Sequence, residues 1–121
     1  MFLSCDACRE KRDCSELVYV QNNASEPKVV RLSLFFPDTT YQCQFILEEL
    51  TPNEMVNFPL NIYDDCWDYV LEDIPLQVFV LDSVIFADST CDAIRANPQL
   101  YQRMEITLDE LKSQNYVVSV D

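Results

Sequence analysis

Chemistry in this chain would fall to its cysteines and its carboxylates. Three of the six cysteines, Cys5, Cys8 and Cys14, lie within ten residues in the pattern Cys-x2-Cys-x5-Cys. Thiolates spaced this way, joined by a fourth from a distant loop, hold zinc or an iron-sulfur cluster, since both take soft sulfur ligands. Cys43, Cys66 and Cys91 are the candidates for that fourth position, and Cys43 completes the set Cys5, Cys8, Cys14 and Cys43. Zinc ribbons present two Cys-x2-Cys pairs, however, and here there is one. The intervening Arg9-Glu10-Lys11-Arg12-Asp13 also fits a short solvated helix whose cysteines hold nothing. Cys43 equally fits the core face of a strand, as a small buried hydrophobe. The even count permits disulfides, which a reducing compartment would disfavour.

The carboxylates carry the second signal. There are 21 acidic side chains against 8 basic ones, a formal net charge of −13. Between Arg31 and Arg95 the chain holds twelve acids and no base. The densest run is Tyr63-Asp64-Asp65-Cys66-Trp67-Asp68-Tyr69-Val70-Leu71-Glu72-Asp73, where five carboxylates interleave with two tyrosines and the single tryptophan. Uncompensated acids repel one another and oppose compaction, and aromatic residues beside charge have the composition of interface anchors. The expected partner surface is therefore Tyr63, Asp64, Asp65, Trp67, Asp68, Tyr69, Glu72 and Asp73, with Asp82, Asp88 and Asp92 adjoining it. Its counterpart would be a basic protein surface, either a nucleic-acid-binding protein whose groove the carboxylates fill or a neighbouring subunit of an assembly. The competing reading is a solvated face that serves solubility, with Trp67 and Tyr69 in the core. Direct binding of nucleic acid is excluded, because its affinity comes from Lys and Arg on phosphates. An EF-hand is excluded as well: the run from Asp64 lacks the glycine at position 6 and the glutamate at position 12.

The chain contains no glycine and no histidine. At the usual frequency of about 7%, roughly eight glycines would be expected. Without them there is no phosphate-cradling loop, dinucleotide turn or nucleophile elbow. Without histidine there is no Ser-His-Asp or Cys-His arrangement and no His-Glu-x-x-His zinc site. A non-enzymatic binding protein is the expectation. The alternative from another class is a structural subunit of an assembly such as a phage tail or virion, stabilised by zinc or an iron-sulfur cluster on the cysteines. A small carboxylate- or cysteine-based enzyme is the remaining possibility. Short, acidic, glycine-free binding proteins are a kind of product that viruses and mobile elements encode. No apolar run reaches the roughly 18 residues of a membrane span, and Met1-Phe2-Leu3 runs into Ser4-Cys5-Asp6 without a basic segment. The expectation is a cytoplasmic protein without a membrane partner.

The elements that would position these residues can be read from periodicity. Glu16–Gln21 and Lys28–Phe36 alternate as strands, with Val30, Leu32, Leu34 and Phe36 on one face. Tyr41, Cys43, Phe45 and Leu47 alternate after a turn at Pro37-Asp38-Thr39-Thr40, forming a hairpin with the preceding strand. Val56–Ile62 reads as a strand that Pro59 confines to a sheet edge or bulge. Leu76–Leu81 reads as a strand buried on both faces, continued by Val84–Ala87. Helices are expected from a Ser89 or Thr90 cap through Asn97, over Gln99–Met104, and over Thr107–Asn115, where Thr107 and Glu110 form a capping box. Tyr116–Val120 closes as a strand. The sum is a single compact α+β domain, with about five to seven mostly antiparallel strands and two or three short helices in the C-terminal third. Residues 1–15 form its Cys-rich segment, 16–88 its β-rich body and 89–121 its helical end. Asn, Asp and Pro take the turns that glycine takes elsewhere.

Overall fold

The computed structural model describes residues 17–43, 47–59 and 67–121, with the backbone alone at Pro59, Asp68 and Tyr69. Seven strands are seen among these residues: β1 (Leu17–Asn22), β2 (Lys28–Ser33), β3 (Leu47–Leu50), β4 (Met55–Pro59), β5 (Leu76–Asp82), β6 (Gln102–Ile106) and β7 (Val117–Val120). Four short helices accompany them: α1 (Trp67–Val70), α2 (Ser83–Asp88), α3 (Cys91–Ala96) and α4 (Leu108–Ser113), with a 3-10 turn at Pro98–Leu100. The strands form two sheets, ordered β4-β1-β7 and β3-β2-β5-β6. Four of the five pairings are antiparallel, and β1 with β7 is parallel.

Alternation along the strands explains why the sheets face each other. Val18 and Val20 of β1 and Val118 and Val120 of β7 project from one sheet, and Val30, Leu32, Leu76, Val78 and Val80 project from the other. They meet in one buried cluster, closed by Trp67, Leu71 and Leu111 from helices and turns. The opposite face of β2 and β5 offers Val29, Phe79 and Leu81 to a second cluster, completed by Tyr41 and Ile94. Strand β5 is thus apolar on both faces because both faces are covered. Within the second cluster Tyr41 lies edge-on to Phe79 at 5.5 Å, and the buried Arg31 donates from Nε to the Tyr41 hydroxyl at 3.1 Å.

Several expected elements stand, and the differences have local causes. The hairpin exists, but β2 pairs with β3, Lys28 opposite Leu50 and Arg31 opposite Leu47. Tyr41, Gln42 and Cys43 are irregular, so the expected arm there is not a strand over its described positions. Tyr41 is buried as a plug on the second cluster instead. The Asp38 carboxylate organises this segment, accepting from the Thr40 hydroxyl at 2.6 Å and amide at 3.0 Å, and from Gln42 at 3.1 Å. These bonds, those from Thr40 foremost, hold the Asp38 carboxyl below its ordinary range. The order they confer is present at neutral pH and is lost as pH falls through the lowered value.

Among the described residues β4 is an edge strand, as Pro59 requires. The segment after β5 is the helix α2 and not more strand, and Gln99–Met104 is a 3-10 turn followed by β6. The capping box forms as expected, Thr107 accepting from the Glu110 amide and Glu110 from the Thr107 amide. Asn53 and Asn115 take positive φ, 68° and 57°, the left-handed geometry that Asn tolerates in place of glycine.

Asn22, fully buried at the end of β1, joins the two sheets through its side chain. Its amide donates to the carbonyls of Glu26 at 2.9 Å and Leu50 at 3.0 Å, and its oxygen accepts from the Ala24 amide at 2.9 Å. Replacing it by leucine strands those three backbone groups. We expect Asn22→Leu to cost about 2–3 kcal/mol in urea unfolding, and an unchanged midpoint would show that these bonds hold nothing together.

Candidate functional site

The register of the second sheet builds an acidic groove. Leu76 opens β5 directly opposite Ile106, the last residue of β6. The chain entering β5 is therefore set beside the chain leaving β6. The entering chain is α1 and the turn Leu71-Glu72-Asp73-Ile74-Pro75; the leaving chain is the capped start of α4, Thr107-Leu108-Asp109. Together with Phe36 they enclose a groove of about 550 Å³. Its apolar floor includes Phe36, Ile74, Pro75 and Leu108, and its carboxylates are Glu72, Asp73, Glu105 and Asp109. Among the described residues no lysine or arginine lines it. Glu72, Asp73 and Asp109 are exposed, and Glu105 is paired with Arg103 at 2.7 Å.

Two of the expected partner-facing residues, Glu72 and Asp73, therefore lie at the mouth of this groove. Trp67 does not face a partner. It is wholly buried in the main core, and its indole N–H donates to the Phe58 carbonyl at 3.0 Å. The physical reason is that an indole covers more apolar area than any other side chain here, and the end of the sandwich needs that area filled. Asp68 and Tyr69 belong to α1 by their backbone. Tyr63, Asp64 and Asp65 lie outside the described residues, as do Cys5, Cys8, Cys14 and Cys66.

Asp82 does not adjoin the groove. It ends β5, seven residues long, so about 20 Å of strand separates it from the Glu72–Asp73 turn. It is also compensated, since Lys28 stands opposite it in register and bonds it at 2.6 Å. The base-free window of the sequence is thus partly neutralised in space, by bases that flank it along the chain. Asp92 rides on α3, whose Ile94 packs against the second cluster on the other face of the sheet.

Glu105 and Asp109 were not among the expected site residues because they lie past Arg95, outside the base-free window. One signal did mark Asp109: the Thr107–Glu110 capping box places it in an exposed first helical turn. Glu105 gave none, because the helix expected over Gln99–Met104 concealed β6.

Cys43 is bonded to Cys91, with Cα atoms 5.7 Å apart. In that bond neither sulfur has a thiolate to offer, so Cys43 is withdrawn as the fourth metal ligand, and Cys91 with it. Cys43 is not an isolated buried hydrophobe either; it ties the Tyr41 segment to the first residue of α3. Among the described residues no group of three or more Cys, Asp or Glu is arranged to hold a metal ion, and no helix is long and apolar enough to cross a membrane. Comparison with protein-family models, with curated proteins and with solved structures finds no match for the chain.

Proposed function

We propose that this chain is a non-enzymatic binding protein that docks its acidic groove on a basic protein partner. The observation that carries the reading is the groove itself: the exposed carboxylates Glu72, Asp73 and Asp109, with Glu105 that Arg103 pairs, surround an apolar floor, and among the described residues no lysine or arginine lines it. Such a surface suits a segment in which an apolar side chain is flanked by Lys or Arg. The floor takes the apolar group, and the rim takes the cations. Rim charges in partial contact with water act mainly on encounter, so association should be fast at low salt and slow steeply as salt screens it.

The test uses a lysine-rich peptide of about 20 residues, its association rate followed at salt between about 50 and 300 mM. Charge reversal in the groove, Glu72→Lys with Asp73→Lys and Asp109→Lys, is set against reversal of three exposed acids elsewhere, Glu48, Asp88 and Asp92. The two variants have equal net charge. We expect the groove variant to associate about tenfold more slowly than the control, with a smaller change in dissociation. Equal rates in the two variants, or rates insensitive to salt, would sink the proposal.

A further inference from the structure

Beside the acidic groove runs an open sheet edge. β7 pairs with β1 along one side, and no strand pairs with its other side among the described residues. The carbonyls of Tyr116 and Val120 accept the amides of Tyr19 and Asn23, each at 2.8 Å. In a parallel ladder alternate residues turn their N–H and C=O toward the same neighbour. Val118 and Val120 therefore serve β1, while Val117 and Ser119 turn their backbone groups away from it. The Val117 amide is taken by the Gln114 carbonyl at 3.1 Å. The groups that face outward for pairing are the Val117 carbonyl and both backbone groups of Ser119.

These groups border a groove of about 540 Å³ whose far wall is Met104, Glu105 and Ile106 of β6, the terminal strand of the other sheet. Among the described residues two open edges, one from each sheet, thus flank one trough. An exposed edge is a template for another strand, and proteins that must avoid this place lysine, proline or a bulge there. Val117-Val118-Ser119-Val120 has none of these. Glu105 and Glu110 line the trough, and among the described residues no base does. Glu105 also borders the acidic groove, so the two depressions share that side chain.

We infer that β7 is a docking edge on which the basic partner adds an extended strand, its backbone pairing with Val117 and Ser119 and its cations meeting Glu105 and Glu110. This rests on the reading of the partner as basic. Charge also selects against a second copy of this chain, which would bring a further −13 to the same edge. Strand addition explains how a short segment could be gripped: main-chain bonds supply affinity, and alternating side chains supply choice.

The probe is a capped peptide of about eight residues alternating Lys and Val, with two twins N-methylated on the amides of one edge or the other. We expect the parent to bind and to slow hydrogen exchange at the Ser119 amide. One twin should bind at least about tenfold more weakly, because its methyl groups remove the pairing donors. Twins that both match the parent, or a bound parent that leaves Ser119 exchange unchanged, overturn the docking edge. If binding then still falls with salt and with the Glu72, Asp73 and Asp109 reversals, the basic-partner reading survives. A parent that does not bind at all overturns both, and self-pairing of the chain that excludes the peptide overturns the edge assignment.

Discussion

Trp67→Ala should lower unfolding stability by about 3–5 kcal/mol, the range found for deleting a large buried aromatic. Trp67 is fully buried and bonds the Phe58 carbonyl, so it fixes α1 to the end of the three-stranded sheet. Leu71 comes one turn later, its amide bonded to the Trp67 carbonyl at 2.9 Å, and brings Glu72 and Asp73 to the groove. Truncation thus opens a cavity in the core and frees the segment that carries two groove acids. Trp67→Phe separates the two contributions. It retains most of the packing but leaves the Phe58 carbonyl without its donor, at a cost of about 1–3 kcal/mol. Because this is the only tryptophan, its fluorescence reads the core alone. Emission should lie at short wavelength in the native state, move to the red on urea unfolding, and remain unchanged when a partner binds. A Trp67→Ala protein with a normal urea midpoint and impaired binding would return the residue to the surface and overturn its placement in the core.

The same residue shows why the fold is more legible in the sequence than the site. Strand β5 is readable because a run of apolar residues flanked by acids has few solutions other than burial on both faces. The capping box is readable because its two side chains are fixed by the helix end they satisfy. Trp67 is ambiguous: an aromatic among carboxylates has the same local composition whether it turns inward or outward, and only the neighbouring Phe58 carbonyl decides. Composition likewise cannot show that Lys28 reaches Asp82, because that contact depends on the β2–β5 register, across 54 positions of chain. Nor can it bring Glu105 and Asp109 to Glu72 and Asp73, which needs Leu76 and Ile106 side by side. The strand expected to start at Tyr41 fails over Tyr41, Gln42 and Cys43 for a related reason. Alternation marks positions that face a core, and Tyr41 does, but from an irregular segment laid over a sheet.

That segment sets the second large effect. Replacing Cys43 and Cys91 together by serine, or reducing their bond, should cost about 2–4 kcal/mol. The bond spans 48 positions of sequence, and a cross-link over that distance removes closure entropy from the unfolded chain worth about 4 kcal/mol in the chain-entropy account. The loss should not be spread evenly. Cys43 ends the segment that buries Tyr41 against Phe79 and Tyr101, with ring centroids 5.5 and 5.4 Å away, and Cys91 begins the helix that supplies Ile94 to the same cluster. Released, the segment keeps its contacts to Arg31 and Gln77, through the Tyr41 hydroxyl and the Asp38 carbonyl, but loses its covalent anchor. Hydrogen exchange should therefore quicken first in residues 34–43 and in α3, while β1 and β7 on the far sheet remain protected until global unfolding. Peptide mapping of the oxidised protein should recover Cys43 linked to Cys91. Free thiols at both positions in oxidised protein would remove the cross-link, and equal urea midpoints with and without a dithiol reductant would remove its share of the stability.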